Sequence, residues 1–441
     1  MSARFALVIL FVLLTGLCQA QEPASSSQSD FEVAKDLSAA TLLPEELLRG
    51  EHHVVDDRVR NDGYLNYYTI HSDYGEFEAA STAMLRIRIR EIEALAELDE
   101  LSHTEVFITA MAEAGVQKIV GVQQLVMHPI QTVKGLPSGI GRMFKRYSRK
   151  SKEAAAATKE YVTKDNSDDA TETEEEDAEQ MAQAMSLTER YFGVSEAERS
   201  WCENLRVDPY SSNEVLTKAI ENVAMADSLG KTTLFLAGMA IPYVGYVGTV
   251  SETVWSEDIY ALRDSNRAAL LAAGADEALV DEYLTSPWMS PTQQTLLTAA
   301  IIALKNVDGR EGILRQALNA RGEIEVGYLV RAVALLAWYD RHQEPFASVS
   351  TELAIPGGVT AQDKNVLLFP SDYVYWTEPM AEAAMEYRAV GSDQNDDVQE
   401  IWILGTTSDR VADELLALGY DLHTDFAEIV RPVAENSEPG E

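Results

Sequence analysis

The chain has 441 residues and carries 72 acids against 35 lysines and arginines, a formal net charge of −37. Such an excess repels phosphates over most of a surface, which argues against generic nucleic-acid binding, and it favours solubility without fixing a fold. With only two cysteines, stability has to come from packed cores, which a chain of this length can build.

Residues 1 to 20, MSARFALVILFVLLTGLCQA, set Arg4 ahead of an apolar run from Phe5 to Leu14 and close on a small-residue site at Ala20. This is the layout of a cleaved secretory signal. Leu17 is bulkier than the residue that usually precedes a lipidated cysteine, so Cys18 is expected to leave with the signal and the mature chain to begin at Gln21. The protein is then expected beyond the inner membrane, periplasmic or extracellular, with peripheral membrane contact as one outcome. Cys202 becomes its single thiol. No histidine or second cysteine stands beside it, so it reads as a small apolar side chain next to Trp201 on the buried side of a helix.

Residues 21 to 45 open with QEPASSSQSD and contain few large apolar groups, the composition of a disordered tether. From 52 to 80 two β-favouring runs, LNYYTIH and GEFEAAS, flank the turn-prone Ser72-Asp73-Tyr74-Gly75 and predict a hairpin. Leu85, Ile89, Ile92 and Ala96 share one helical stripe and predict a helix from 84 to 101, with a second helix from Ser102-His103-Thr104-Glu105 to the stop at Pro129. HHVVDD brings His52, His53, Asp56 and Asp57 close in sequence. No HExxH or repeated CxxC supports a metal there, and no metal or cofactor is assigned.

Between Glu113 and Glu153 lie 39 residues without one acid. Gly135, Pro137, Gly139 and Gly141 make a turn-rich loop. After it Ile140, Met143, Phe144 and Tyr147 fall on one side of a helix, and Arg142, Lys145, Arg146, Arg149 and Lys150 on the other. Three readings compete for this basic amphipathic helix. It caps a core and shows its cations to water; it lies in a membrane surface among anionic headgroups; or it meets nucleic acid, which few aromatics and the compartment disfavour. Downstream, Asp165 to Glu179 place nine acids in fifteen residues with no large apolar group, a solvated linker that could shield the cations.

Residues 186 to 343 show three-to-four spacing of apolar residues in MSLTERYFG, NEVLTKAIENVAMADSLG, TQQTLLTAAIIALKNV and VGYLVRAVALLAWYDRH, broken at Asp208-Pro209, Pro242, Ser286-Pro287 and Asp308-Gly309. Ser212 or Asn213 is expected to cap the helix from Glu214. LGKTTLFLAG looks like the end of a P-loop but has Met225 where the first glycine belongs, so nucleotide binding is not expected. Residues 232 to 251 hold no charge, yet Pro242 and three glycines favour a buried, kinked helical hairpin over superficial membrane contact, and either of these over a membrane span.

From Pro345 strands NVLLFP, VQEIWILGT and DLHTDFAEIV alternate with helices MAEAAMEYRAVG and SDRVADELLALGY, the latter capped by Ser408 and ended by Gly419. Gly405-Thr406-Thr407-Ser408 lies between strand and helix, where such folds take anions, but reads first as a plain turn. Tyr373, Tyr375 and Trp376 read as packing.

The pattern predicts a multidomain, predominantly α-helical protein: an α+β domain over 46–152, an acidic linker over 153–185, a helical domain over 186–343, an α/β domain over 344–436 and a tail over 437–441. No catalytic residues stand out. The expected role is non-enzymatic, envelope-associated contact with an anionic membrane surface or an acidic protein partner, without nucleic acid. An exported hydrolase with a site between the last two domains is the alternative, and oligomeric state is not legible.

Overall fold

The computed structural model describes residues 30–102, 182, 184–227, 247–392 and 399–427. Strand β1 (Leu37–Ser38) and two single-turn helices, α1 (Ala39–Leu42) and α2 (Glu45–Leu48), lead into β2 (His53–Val55), β3 (Arg58–Asn61), β4 (Asn66–Ser72) and β5 (Gly75–Ala80). All pairings are antiparallel. β2 and β3 line one side of β4, β5 the other, and β1 extends β3, which curls the five strands into one sheet. The hairpin of β4 and β5 turns at Asp73-Tyr74, as the sequence predicts. Gly75 takes a φ of +122° there, a backbone that side chains with a Cβ rarely adopt.

Helix α3 (Thr82–Ser102) buries Leu85, Ile89, Ile92 and Ala96, the predicted stripe, against that sheet. Its other neighbours are α5 (Glu196–Leu205) and α6 (Glu214–Asp227), which follow α4 over 184–193. Ser195 and Glu198 form a reciprocal capping box on α5, and Asn213 accepts from the Val215 and Leu216 amides to cap α6. Trp201, Cys202, Leu205, Leu216 and Ile220 complete one core with the sheet. Cys202 is a buried free thiol, and burial pushes it well above its ordinary value.

The helical layer continues through α7 (Val247–Ser256), α8 (Ile259–Ala272), α9 (Glu277–Leu284), α10 (Pro291–Ala303), α11 (Gly312–Ala317) and α12 (Gly322–His342). Ser290 and Gln293 form a second capping box, with Pro291 at the first helical position, where its missing N–H removes no hydrogen bond.

The C-terminal sheet has the order β12-β10-β8-β7-β6. β6 (Phe346–Ser350) and β7 (Gly357–Thr360) form an antiparallel edge on β8 (Asn365–Phe369), while β8, β10 (Gln399–Ile403) and β12 (Tyr420–Thr424) run parallel. The crossover helices α13 (Glu378–Ser392) and α14 (Asp409–Ala417) both cover the face of Leu367, Phe369, Ile401 and Ile403. The opposite face meets α12 through Val366 and Leu368. A two-stranded parallel ribbon, β9 (Tyr373–Val374) with β11 (Thr406–Thr407), sits beyond the strand ends.

The expectation of a predominantly helical protein is corrected: the structure is 53% helical and 18% strand, with three sheets among the described residues. The strands that sequence reading passes over are mostly two to five residues long, too short to show a period of two. Residues 30 to 45, expected within a tether, carry β1 and α1 and bury Ala39 and Leu43 in the first core.

Candidate functional site

In an open parallel sheet the place for a ligand is the crevice outside the carboxyl ends of the strands. Here those ends are the Ser371-Asp372 loop, Gly405 and Asp425, and the chain fills the crevice with itself. Asp372 accepts from the amides of Asn66 (3.1 Å) and Thr82 (3.0 Å), the second at the start of α3. The Asp372 and Tyr373 amides donate to the Tyr64 carbonyl and the Tyr375 amide to that of Gly63. Asn61 Nδ2 reaches the Tyr373 carbonyl at 3.0 Å, and Tyr328 and Ser371 hydroxyls lie 2.9 Å apart. Burial raises the carboxyl of Asp372, a rise its amide donors oppose.

Gly405 owes its identity to this closure. A Cβ built on it would lie 1.9 Å from the Asp372 carbonyl oxygen, so no side chain fits. The helix start beyond it holds an anion, and that anion is Glu32. Its Oε2 accepts from Ser408 Oγ at 2.6 Å and the Trp376 amide at 2.7 Å, while the Glu32 amide donates to the Trp376 carbonyl. Ser408 Oγ still accepts from the Val411 amide, so one hydroxyl caps α14 and binds the carboxylate. Arg410 donates to the Asp30 carbonyl beside it. A cleft of about 360 Å3 remains between Glu32, Val33, Asp62, Tyr64, Thr377 and Pro379. Asp62 is committed too: Oδ1 accepts from the Tyr64 and Leu65 amides and Oδ2 from the Tyr67 hydroxyl. The acids around this crevice clamp backbone, which is structural work.

A second cluster lies on the outward part of the same sheet. Parallel register pairs Glu400 with Asp421 and Trp402 with His423, so all four side chains point to one face. Glu400 accepts from Lys364 Nζ (3.3 Å) on Oε1 and from Trp402 Nε1 (2.9 Å) and Tyr339 OH (3.1 Å) on Oε2. Burial alone would raise this carboxyl, but the donors together leave it below its usual range. Lys364 also meets Glu344 at 3.1 Å. The His423 ring stacks on Trp402 at 4.1 Å between centroids, and Nε2 stands 3.5 Å from Asp421 Oδ2. Trp338, Tyr339 and Phe426 close the aromatic wall around Trp402.

Comparison with family models, with curated proteins and with solved structures finds no match.

Arg142, Lys145, Arg146, Arg149, Lys150, Met143, Phe144 and Tyr147 lie outside the described residues, as do the acidic run 165–179 and residues 232–246. Among the described residues no helix is long and apolar enough to cross a membrane. The HHVVDD residues diverge. His52 pairs with Asp73, Asp56 with His71, and Asp57 accepts from Ser38, while strand alternation turns His53 into the core, where burial lowers its pKa. Tyr373 and Tyr375 pack ring to ring at 4.9 Å, the packing role expected of them. Sequence reading missed Glu400, Asp421 and His423, which fall in no motif. The available signal was E-x-W in one strand facing D-x-H in the next, and it becomes visible only once the two strands are known to be neighbours.

Proposed function

We propose that this is an exported, non-catalytic protein that meets an anionic membrane surface through the basic segment around residues 140–150. The observation that carries the reading is the run of 39 residues between Glu113 and Glu153 with no acid, in a chain of 72 acids. Periodicity puts Met143, Phe144 and Tyr147 opposite five cations, the pattern of an interfacial helix, in which each cation near anionic lipid contributes roughly 1 kcal/mol. Two further facts support it. The segment belongs to the stretch 103–181, which joins α3 to α4, so it enters the chain between two elements packed in the fold. The crevice at the strand ends, where an α/β enzyme would hold substrate, is filled by Asp372, Glu32 and their donors.

Co-sedimentation with vesicles tests this reading. The mature protein should pellet with vesicles containing phosphatidylglycerol at low salt and be released at high salt, because surface charge is screened within about 10 Å at 0.1 M. Arg146→Glu with Arg149→Glu should abolish pelleting. Absent or salt-insensitive binding by the wild type would remove the proposal, and binding to a polyanionic protein but to no vesicle would transfer it to an acidic partner.

A further inference from the structure

We propose that Glu400, Asp421 and His423 form a binding site for a divalent cation of the zinc class. This is independent of the membrane reading and uses another face of the molecule.

The site is built by strand register. β10 and β12 are parallel, Glu400 lies opposite Asp421, and two residues on, the alternation returns His423 to the same face. One donor atom from each of the three lies within 4.8 Å of the others. Bonds of 2.0–2.1 Å in tetrahedral geometry would space such donors about 3.4 Å apart. His423 and Asp421 already stand at 3.5 Å, so closure needs the Glu400 carboxylate to move by at most about 1.4 Å, from the 4.8 Å limit to about 3.4 Å, within reach of side-chain torsions.

Two observations separate this trio from an ordinary surface ion pair. His423 Nε2 is shielded from water and makes no hydrogen bond of normal geometry; its polar neighbour is Asp421 Oδ2 at 3.5 Å. A metal ion held between the two would satisfy this nitrogen more fully than that long contact does. The surrounding groups also act as outer supports of a metal site do. Trp402 stacks on the His423 ring and donates Nε1–H to Glu400, and Tyr339 donates to the same oxygen, so one indole fixes two ligands at once.

Charge points the same way. Lys364 is shared by Glu344 and Glu400, and Asp421 stands beside Glu400 on the neighbouring strand, leaving anionic excess for a cation to neutralise. Lys364 competes for Glu400 Oε1, but it keeps Glu344 at 3.1 Å when it yields. An imidazole beside two carboxylates selects a borderline ion over Mg2+ or Ca2+, which favour all-oxygen shells. Three protein ligands leave a fourth position open to water or to a donor brought by another molecule.

Calorimetric titration of the chelator-stripped mature protein with Zn2+, and with Co2+ as a visible-absorption probe, tests the site. The expected result is a one-to-one isotherm in the micromolar range or tighter, with a Co2+ spectrum showing nitrogen ligation. His423→Ala and, separately, Asp421→Asn should each weaken it at least about tenfold, with far-ultraviolet circular dichroism and the unfolding midpoint unchanged. Should His423→Ala misfold, Asp421→Asn carries the test alone, since it keeps the side chain's shape. Wild-type protein that takes up no Zn2+, or variants that bind it as tightly as wild type, would overturn the proposal; the second result would place the ion among the chain's other acids.

Discussion

Asp208 lies in the turn between α5 and α6, where its Oδ1 accepts from the Tyr210 amide and, at 2.6 Å, from the Thr292 hydroxyl at the start of α10. Burial pushes its carboxyl from 3.8 up to about 6, these two donors oppose the rise, Glu91 adds to it and Arg190 works against it. A carboxyl held above its unfolded value stabilises the fold in its protonated form. That contribution is complete below the unfolded pKa and is lost as pH rises through the folded one, so the window runs from about pH 4 to pH 6. At about 1.4 kcal/mol per unit, the whole effect is about 3 kcal/mol. Asp208→Asn keeps an oxygen acceptor for both donors and has no proton to lose. Urea unfolding from pH 4 to pH 7 should therefore show wild type losing roughly that much stability relative to Asp208→Asn, and parallel curves would contradict the assignment. Nearby, Glu91 shows why a buried acid need not be catalytic. It accepts from Arg88 Nη1 at 2.8 Å, from Asn213 Nδ2 at 3.0 Å and from Ser211, and Arg88 also reaches Glu323, which ties α3 to α6 and α12.

At the scale of elements, the segment from Asp30 to Asp36 behaves as a strap over the start of α14. Removing the Glu32 carboxylate leaves the Trp376 amide without its acceptor, a loss of about 1–3 kcal/mol. Glu32→Ala should lower the unfolding free energy by that amount, whereas Val33→Ser, at a side chain 81% exposed, should leave it unchanged; equal effects would mean that the strap holds through apolar contact instead. The strap also shows what a sequence conceals. Long elements with local signals are legible: α3 from its stripe, the β4–β5 hairpin from its turn, α6 from Asn213, and α14 from Ser408 at one end and Gly419, with a φ of +83°, at the other. The Gly405–Ser408 turn reads first as a plain turn, with an anion site only as the lesser reading, and its occupant, Glu32, stands over 370 residues away in the chain. No local pattern reports a partner at that distance. Glu400, Asp421 and His423 were hidden for the same reason, since their proximity follows from the order of strands in the sheet.

For the whole molecule, the cores cut across the divisions that composition suggests. One unites the curled sheet with α3, α5 and α6, and another unites α8 to α12 with one face of the C-terminal sheet. Tyr64 and Leu65, in the loop before β4, are packed into the third, between the other face of that sheet and α13 and α14. The curled sheet and the C-terminal sheet are therefore held together, and the stretch 103–181 joins α3 to α4. The account rests on what that stretch touches. Cys202 is buried and its thiol resists ionisation, so an environment-sensitive fluorophore on the mature Met143→Cys protein will mark position 143 alone. Its emission should shift to shorter wavelength on adding phosphatidylglycerol vesicles at low salt, revert at high salt, and stay constant with phosphatidylcholine vesicles. Constant emission with the anionic vesicles, from a labelled protein that unfolds as wild type does, would contradict the account.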